Sequence, residues 1–234
     1  MFKAWKEQFY SIVAKGLSLT KRARPPDVHI VIAILSTRAK EPTESDWAKL
    51  VQVMKYLHST WLFTLTITAE DILVIKWTVD ASSAVHPDFK SHTGGTLHFG
   101  GILMGSIVSL SRKQKLNTKS STEAELVAAN DISSLILWTQ LFMEEQGYPI
   151  ERNLLYQDNK SAILLEQNGK KSSSKRTRQK PEYQVFFLTD HHECGYIAIE
   201  YCPTDEMVGN YMAKLLQVSK LLHLREMIVG LQHP

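Results

Sequence analysis

Ile72-Leu73-Val74-Ile75-Lys76-Trp77-Thr78-Val79-Asp80-Ala81 is the stretch on which the fold turns. β-Branched and aromatic residues dominate it, and these fit a pleated, half-buried surface. The run therefore reads as a core strand that ends at Asp80. A carboxylate at the end of such a strand is costly to desolvate unless a partner or a metal ion uses it. Asp158 repeats the arrangement after Asn153-Leu154-Leu155-Tyr156-Gln157. A third acid, Glu125, falls in the first turns of a helical segment that opens at Ser121 and stops at Gly147. Three acids from three elements can converge on hard divalent cations, which take oxygen ligands. Two such ions about 4 Å apart clamp a scissile phosphate and activate a water. Taken singly, Asp80 and Asp158 equally fit turn caps, the commoner role of an Asp, and Glu123 fits a capping or dipole partner.

Outward from this core, Thr93 to Leu110 holds two further strand-like runs, with glycines that read as turns or bulges of an antiparallel meander. Ser161 to Gln167 and Tyr183 to Asp190 read as helices, Tyr196 to Tyr201 as a strand, and Asp205 to Leu216 and Lys220 to Val229 as closing helices. Residues 1–69 read mainly as helix, with Thr43 or Ser45 as the cap of the segment carrying Trp47, Leu50, Val51, Met54 and Leu57. The order of elements is α/β, a mixed sheet with helices, preceded by an all-helical piece. Trp5, Trp47, Trp77 and Trp138 lie on apolar faces and read as core.

The 234 residues allow one large domain or an ordinary domain with an attachment. Hydrophobic residues make up 44% and charged residues 22%, which excludes wholesale disorder. The uncharged run Ser91 to Ser111 is broken by glycine, histidine and hydroxyl residues, so a membrane helix is not expected there. Met1-Phe2-Lys3-Ala4-Trp5 lacks the marks of a secretory signal. Two cysteines are too few for a disulfide scaffold, and a soluble intracellular domain is expected. His191, His192, Cys194 and Cys202 match no usual zinc spacing. The net charge is only +3, yet residues 1–24, 112–119 and 169–181 carry local balances of +5, +4 and +6. Basic blocks against an acidic remainder suit a polyanion surface beside a site that needs carboxylates, although any single block equally fits a solvated loop.

The words around the acids are more specific than their spacing. Val79-Asp80-Ala81-Ser82 with Lys90-Ser91-His92-Thr93-Gly94-Gly95 resembles the opening of the ribonuclease H region of copia-type LTR-retrotransposon Pol polyproteins. The run Lys113-Gln114-Lys115-Leu116-Asn117-Thr118-Lys119-Ser120-Ser121-Thr122-Glu123-Ala124-Glu125-Leu126 is close to that family's most distinctive stretch. Gln157-Asp158-Asn159-Lys160-Ser161-Ala162, the basic loop Ser172 to Arg178 and Glu200-Tyr201-Cys202-Pro203-Thr204 resemble its later motifs. Arg22-Ala23-Arg24-Pro25-Pro26-Asp27 is similar to a word in the segment linking the reverse transcriptase to the ribonuclease H. Nowhere do two aspartates stand side by side, so polymerisation by this chain alone is not expected.

The resemblance implies a ribonuclease H-like mixed five-stranded sheet flanked by helices. It divides the chain into a helical connecting segment at 1–69, the ribonuclease H-like domain at 70–217 and a helical tail at 218–234. It implies cleavage of the RNA strand of RNA–DNA hybrids with two Mg²⁺ ions, for which Mn²⁺ can substitute. Asp80, Glu125 and Asp158 fall on the catalytic, metal-binding acids, with Asp80 and Asp158 bridging the ions. Asn210 stands where the family has a fourth acid, in Val208-Gly209-Asn210, and this departure removes one negative charge. Gln179, Pro181, Ala213 and Leu215 also depart from the pattern. The alternative reading is therefore a silent remnant that only binds nucleic acid or is structural. The implied partners are the hybrid and the reverse-transcriptase portion of the parent polyprotein, in a cytoplasmic retroelement particle or the nucleus. Lys113, Lys115, Lys119, Lys170, Lys171, Lys175, Arg176 and Arg178 are the expected contacts to nucleic acid.

Replacing Lys170, Lys171, Lys175, Arg176 and Arg178 with Ala tests the basic loop. The slope of log affinity for hybrid against log salt should become shallower by about 0.7–0.9 for each phosphate that is no longer neutralised. An unchanged slope assigns the loop to solvent.

Overall fold

The structure is a computed structural model that describes residues 2–22, 26–69, 71–99, 105–169 and 182–230. Five strands form one sheet: β1 (Val74–Ser82), β2 (His92–Phe99), β3 (Val108–Lys113), β4 (Arg152–Gln157) and β5 (Ala198–Tyr201). Their order is β3-β2-β1-β4-β5. The first three strands are antiparallel neighbours, whereas β4 runs parallel to β1 and β5 parallel to β4. This is the ribonuclease H-like mixed sheet that the resemblance implies. The parallel pairing has a consequence for the acids. Thr78 pairs with Tyr156, so Asp80 and Asp158 each stand two residues further along adjacent, co-directional chain segments. Asp80 lies inside β1, opposite Gly94, rather than at its end as the apolar run suggests.

Eight α-helices accompany the sheet among the described residues: α1 (Phe2–Arg22), α2 (His29–Thr37), α3 (Glu44–Ser59), α4 (Ser121–Glu145), α5 (Lys160–Asn168), α6 (Glu182–Glu193), α7 (Gly209–Ala213) and α8 (Val218–Val229). Ala124, Ala128, Ala129, Ile132 and Ile136 of α4 pack on Ile75, Trp77, Val79 and Ala81 of β1. The three alanines present little bulk, which lets the helix approach the strand closely and brings Glu125 with it. By length and composition α4 is apolar enough to cross a membrane, but its apolar stripe lies in this core. Its outer face carries Trp138, which is 58% exposed and stacks on Phe142 instead of joining the core as expected.

The opposite face of β1 and β2 receives α7, whose Tyr211 and Met212 pack with Val208, Leu224, Met227 and Ile228. Here the sequence expectation of a helix over Asp205 to Leu216 is corrected to five residues. Pro203 and Glu206 close a turn before the helix, and Lys214 leaves it in an extended conformation. Phe9, Val13, Val28, Ile32, Leu35, Leu50 and Val53 join the N-terminal helices in a cluster of their own. Thr43, one of the two candidates, caps α3 in a reciprocal box with Asp46. This cluster is tied to α7 at Asp27. Tyr211 donates to its backbone oxygen at 2.8 Å, and Tyr56 to its carboxylate at 2.6 Å.

Gly94 and Gly95 sit within β2, neither in a turn nor in a bulge. The reason for Gly94 is the approach of α7. A β-carbon there would stand 2.5 Å from the Met212 carbonyl carbon and 2.7 Å from the Gly209 oxygen, and closer still to the Ala213 nitrogen. All three are backbone atoms and cannot swing aside. Gly94→Ala should therefore cost about 3 kcal/mol or more of stability, the upper range for overpacking a core. Chemical denaturation of the two proteins checks this, and equal stability would mean that α7 does not lie against β2.

Candidate active site

Each of three elements brings one acid to the same point. Asp80 comes from the middle of the sheet, Glu125 from the second turn of α4, and Asp158 from the residue after β4. One oxygen of each carboxylate lies within 4.8 Å of those of the other two. The start of α4 is held by a cap that does not involve Glu125. Ser120 Oγ accepts from the Glu123 N–H at 3.1 Å, and the Glu123 carboxylate accepts from the Lys119 N–H at 2.7 Å. Glu123 thus acts as the capping partner, and Glu125, two residues on, is left for the site. Gln114, just after β3, donates to the Ala124 carbonyl at 2.9 Å and fixes the helix beside the sheet.

Two of these acids are desolvated. Asp80 is fully buried and Glu125 is 5% exposed, while Asp158 is half-buried. Asp80 Oδ2 and Glu125 Oε2 are buried and accept no hydrogen bond. Burial, with the Asp80 charge beside it, pushes the Glu125 carboxyl up to about 9. Burial also pushes Asp80 up, to about 6, although the Lys214 ammonium pulls against it. A group of carboxylates whose charge is this unfavourable calls for a cation. The donors are all oxygens, and two of them are buried without partners. This set fits hard divalent ions such as Mg²⁺ or Mn²⁺. Among the described residues, no other group of His, Cys, Asp and Glu is close enough to hold a metal ion. Cys194 is exposed and Cys202 buried, and both are free thiols.

Asn210 is buried on α7, facing Asp80 through a third residue. Its Nδ2 donates to the Thr204 carbonyl at 3.0 Å, which orients Oδ1. That oxygen accepts from Lys214 Nζ at 2.7 Å, and the same ammonium donates to Asp80 Oδ1 at 2.8 Å. Burial disfavours the Lys214 charge, but Asp80 outweighs it and the lysine is held above its ordinary range. The motifs of the sequence do not assign Lys214 to the site. The available signal is its place four residues after Asn210, the spacing that puts two side chains on one helix face.

Of the lysines expected to meet nucleic acid, Lys113 is engaged with Asp88 at 2.7 Å, while Lys115 and Lys119 are exposed. Lys170, Lys171, Lys175, Arg176 and Arg178 lie outside the described residues, as do Gln179 and Pro181.

No protein-family model matches the chain. The chain is 26% identical over 211 residues to the retrovirus-related Pol polyprotein from transposon TNT 1-94 of Nicotiana tabacum, a match that covers 90% of this chain. The chain is similar to copia-type Pol polyproteins of plant transposons. It spans 14% of the length of the tobacco polyprotein. A shorter match is to secreted RxLR effector protein 161 of Plasmopara viticola, 31% identical over 114 residues, covering 48% of this chain and 78% of that protein. Among solved structures, the ribonuclease H1 named LC11, isolated from compost, aligns with a TM-score of 0.41 and 11% identity, covering 57% of this chain and 86% of its own. The ribonuclease H-like fold is carried by the strand order and pairing of the chain itself.

Proposed function

We propose that the chain hydrolyses the RNA strand of RNA–DNA hybrids, using divalent metal ions held by Asp80, Glu125 and Asp158. The observation that carries this reading is the convergence of three carboxylates, two of them buried with unpartnered oxygens, from neighbouring elements. In this reading Asp80, Glu125 and Asp158 would hold the ions, and Asn210 Oδ1 would offer a weak neutral ligand. A bound Mg²⁺ or Mn²⁺ supplies Lewis acidity at the scissile phosphate and lowers the pKa of a water. The chain's own contribution is placement. Glu125 Oε2 is free to accept a hydrogen bond from an attacking water, and the packing of α4 on β1 fixes where that water stands. The buried setting also excludes competing solvent from Asp80.

The resemblance to copia-type Pol polyproteins supports a hybrid as substrate, with the reverse-transcriptase portion of such a polyprotein as the proposed partner. Exposed Lys115 and Lys119 are suited to phosphates near the start of α4. Selection of the hybrid rests on 2′-hydroxyl contacts to one strand and on duplex shape. One observation favours a second reading, a remnant that binds nucleic acid without cutting it. The position expected to carry a fourth acid is an amide, and a lysine sits on the buried aspartate.

A cleavage assay on labelled hybrid, with duplex DNA as control and Mg²⁺ or Mn²⁺ as the ion, separates the two. The chain should cut only the RNA strand and only with metal, and Asp80→Asn should lower the rate on the order of a hundredfold or more, as loss of one transition-state stabiliser does. Cleavage unaffected by chelation or by Asp80→Asn would overturn the metal site. No cleavage under any ion condition, with hybrid still bound, assigns the chain to the second reading.

A further inference from the structure

We infer that Lys214 is a built-in cation that holds the Asp80–Asn210 side of the acid cluster against one of the divalent ions. The inference rests on the metal-site part of the proposed function. Its basis is the pair of short contacts from one ammonium, 2.8 Å to Asp80 Oδ1 and 2.7 Å to Asn210 Oδ1. The ammonium therefore lies between the two side chains that would ligate an ion on that side of the cluster. Asn210 is fixed in this arrangement, because its amide nitrogen is committed to the Thr204 carbonyl.

Charge explains why the lysine is held there. With all three acids ionised, as a bound cation would make them, three carboxylates and one ammonium leave two negative charges, which a single divalent ion neutralises. A second divalent ion brings an excess of positive charge unless Lys214 withdraws. The lysine has room to do so, since 35% of its side chain is exposed whereas the Asp80 side chain is fully enclosed. The first ion therefore takes the free oxygens of Asp80, Glu125 and Asp158, and the second binds only at concentrations that displace the ammonium. An aspartate at position 210 would compete for that charge, whereas the neutral amide only shares it.

The test uses the full chain without substrate. Mn²⁺ is titrated by isothermal calorimetry, and bound ions are counted by electron paramagnetic resonance. Wild-type protein should bind one ion tightly and a second weakly. In Lys214→Gln the second ion should bind on the order of tenfold more tightly, the scale of removing one nearby positive charge. Lys214→Arg, which keeps the charge, should behave as wild type. Equal counts and affinities in wild type and Lys214→Gln would overturn the inference. Should Lys214→Gln fail to fold, the ¹⁵N resonance of the Lys214 ammonium in the wild-type chain decides it. That signal should stay in place through the first equivalent of Mg²⁺ and move with the second, and a signal that never moves contradicts displacement. No hybrid is present in these measurements. A chain that binds ions as described but cuts nothing loses the ribonuclease reading alone.

Discussion

A carboxylate with no exposed surface, placed in the central strand of a sheet, sets the conditions for everything built around it. Moving an ionised carboxylate out of water costs several kcal/mol even after the protein relaxes. At Asp80 the cost is compounded by Glu125 and Asp158, whose oxygens lie within 4.8 Å. Positive charge must come to this point. In the chain alone it comes from Lys214, and the rest of the architecture serves to bring that lysine within reach. The helix that leads into it, α7, is pressed on β2 so closely that only a glycine fits beneath it at position 94.

The N-terminal helices take part in the same arrangement. Asp27, at their junction, accepts from Tyr211 of α7 and from Tyr56 of α3, and Arg225 of α8 reaches the Tyr56 hydroxyl at 3.3 Å. Tyr211 is the immediate neighbour of Asn210. A shift of the helical segment would therefore be felt at the site through one side chain and one short helix. These contacts tie the N-terminal helices to the element that carries Asn210.

Much of the fold is legible in the sequence because it is written in local patterns. The β-branched run before Asp80, the alternation at Tyr196 to Tyr201 and the capped start of α4 each predict their element from neighbouring residues. The acids are legible because a charge at the end of an apolar run is conspicuous, and the surrounding words then match a family. What cannot be read depends on contacts between distant residues. Gly94 resembles a turn glycine because its constraint comes from α7, more than a hundred residues later. Trp138 resembles a core residue by its apolar neighbours, yet it lies on the outer face of α4 while Thr139 and Met143 beyond it stay buried. Lys214 is marked locally only by its spacing from Asn210, and the tertiary fold alone sets it 2.8 Å from Asp80.

The central claim is that Asp80, Glu125 and Asp158 form one cation-binding point, and crystallography with manganese tests it most directly. Crystals of the chain soaked in Mn²⁺ should show an anomalous-difference peak bounded by these three carboxylates, at the 2.0–2.3 Å oxygen distances roughly expected for such ions. A well-occupied peak elsewhere, or none at saturating Mn²⁺ with the carboxylates ordered, would contradict the account.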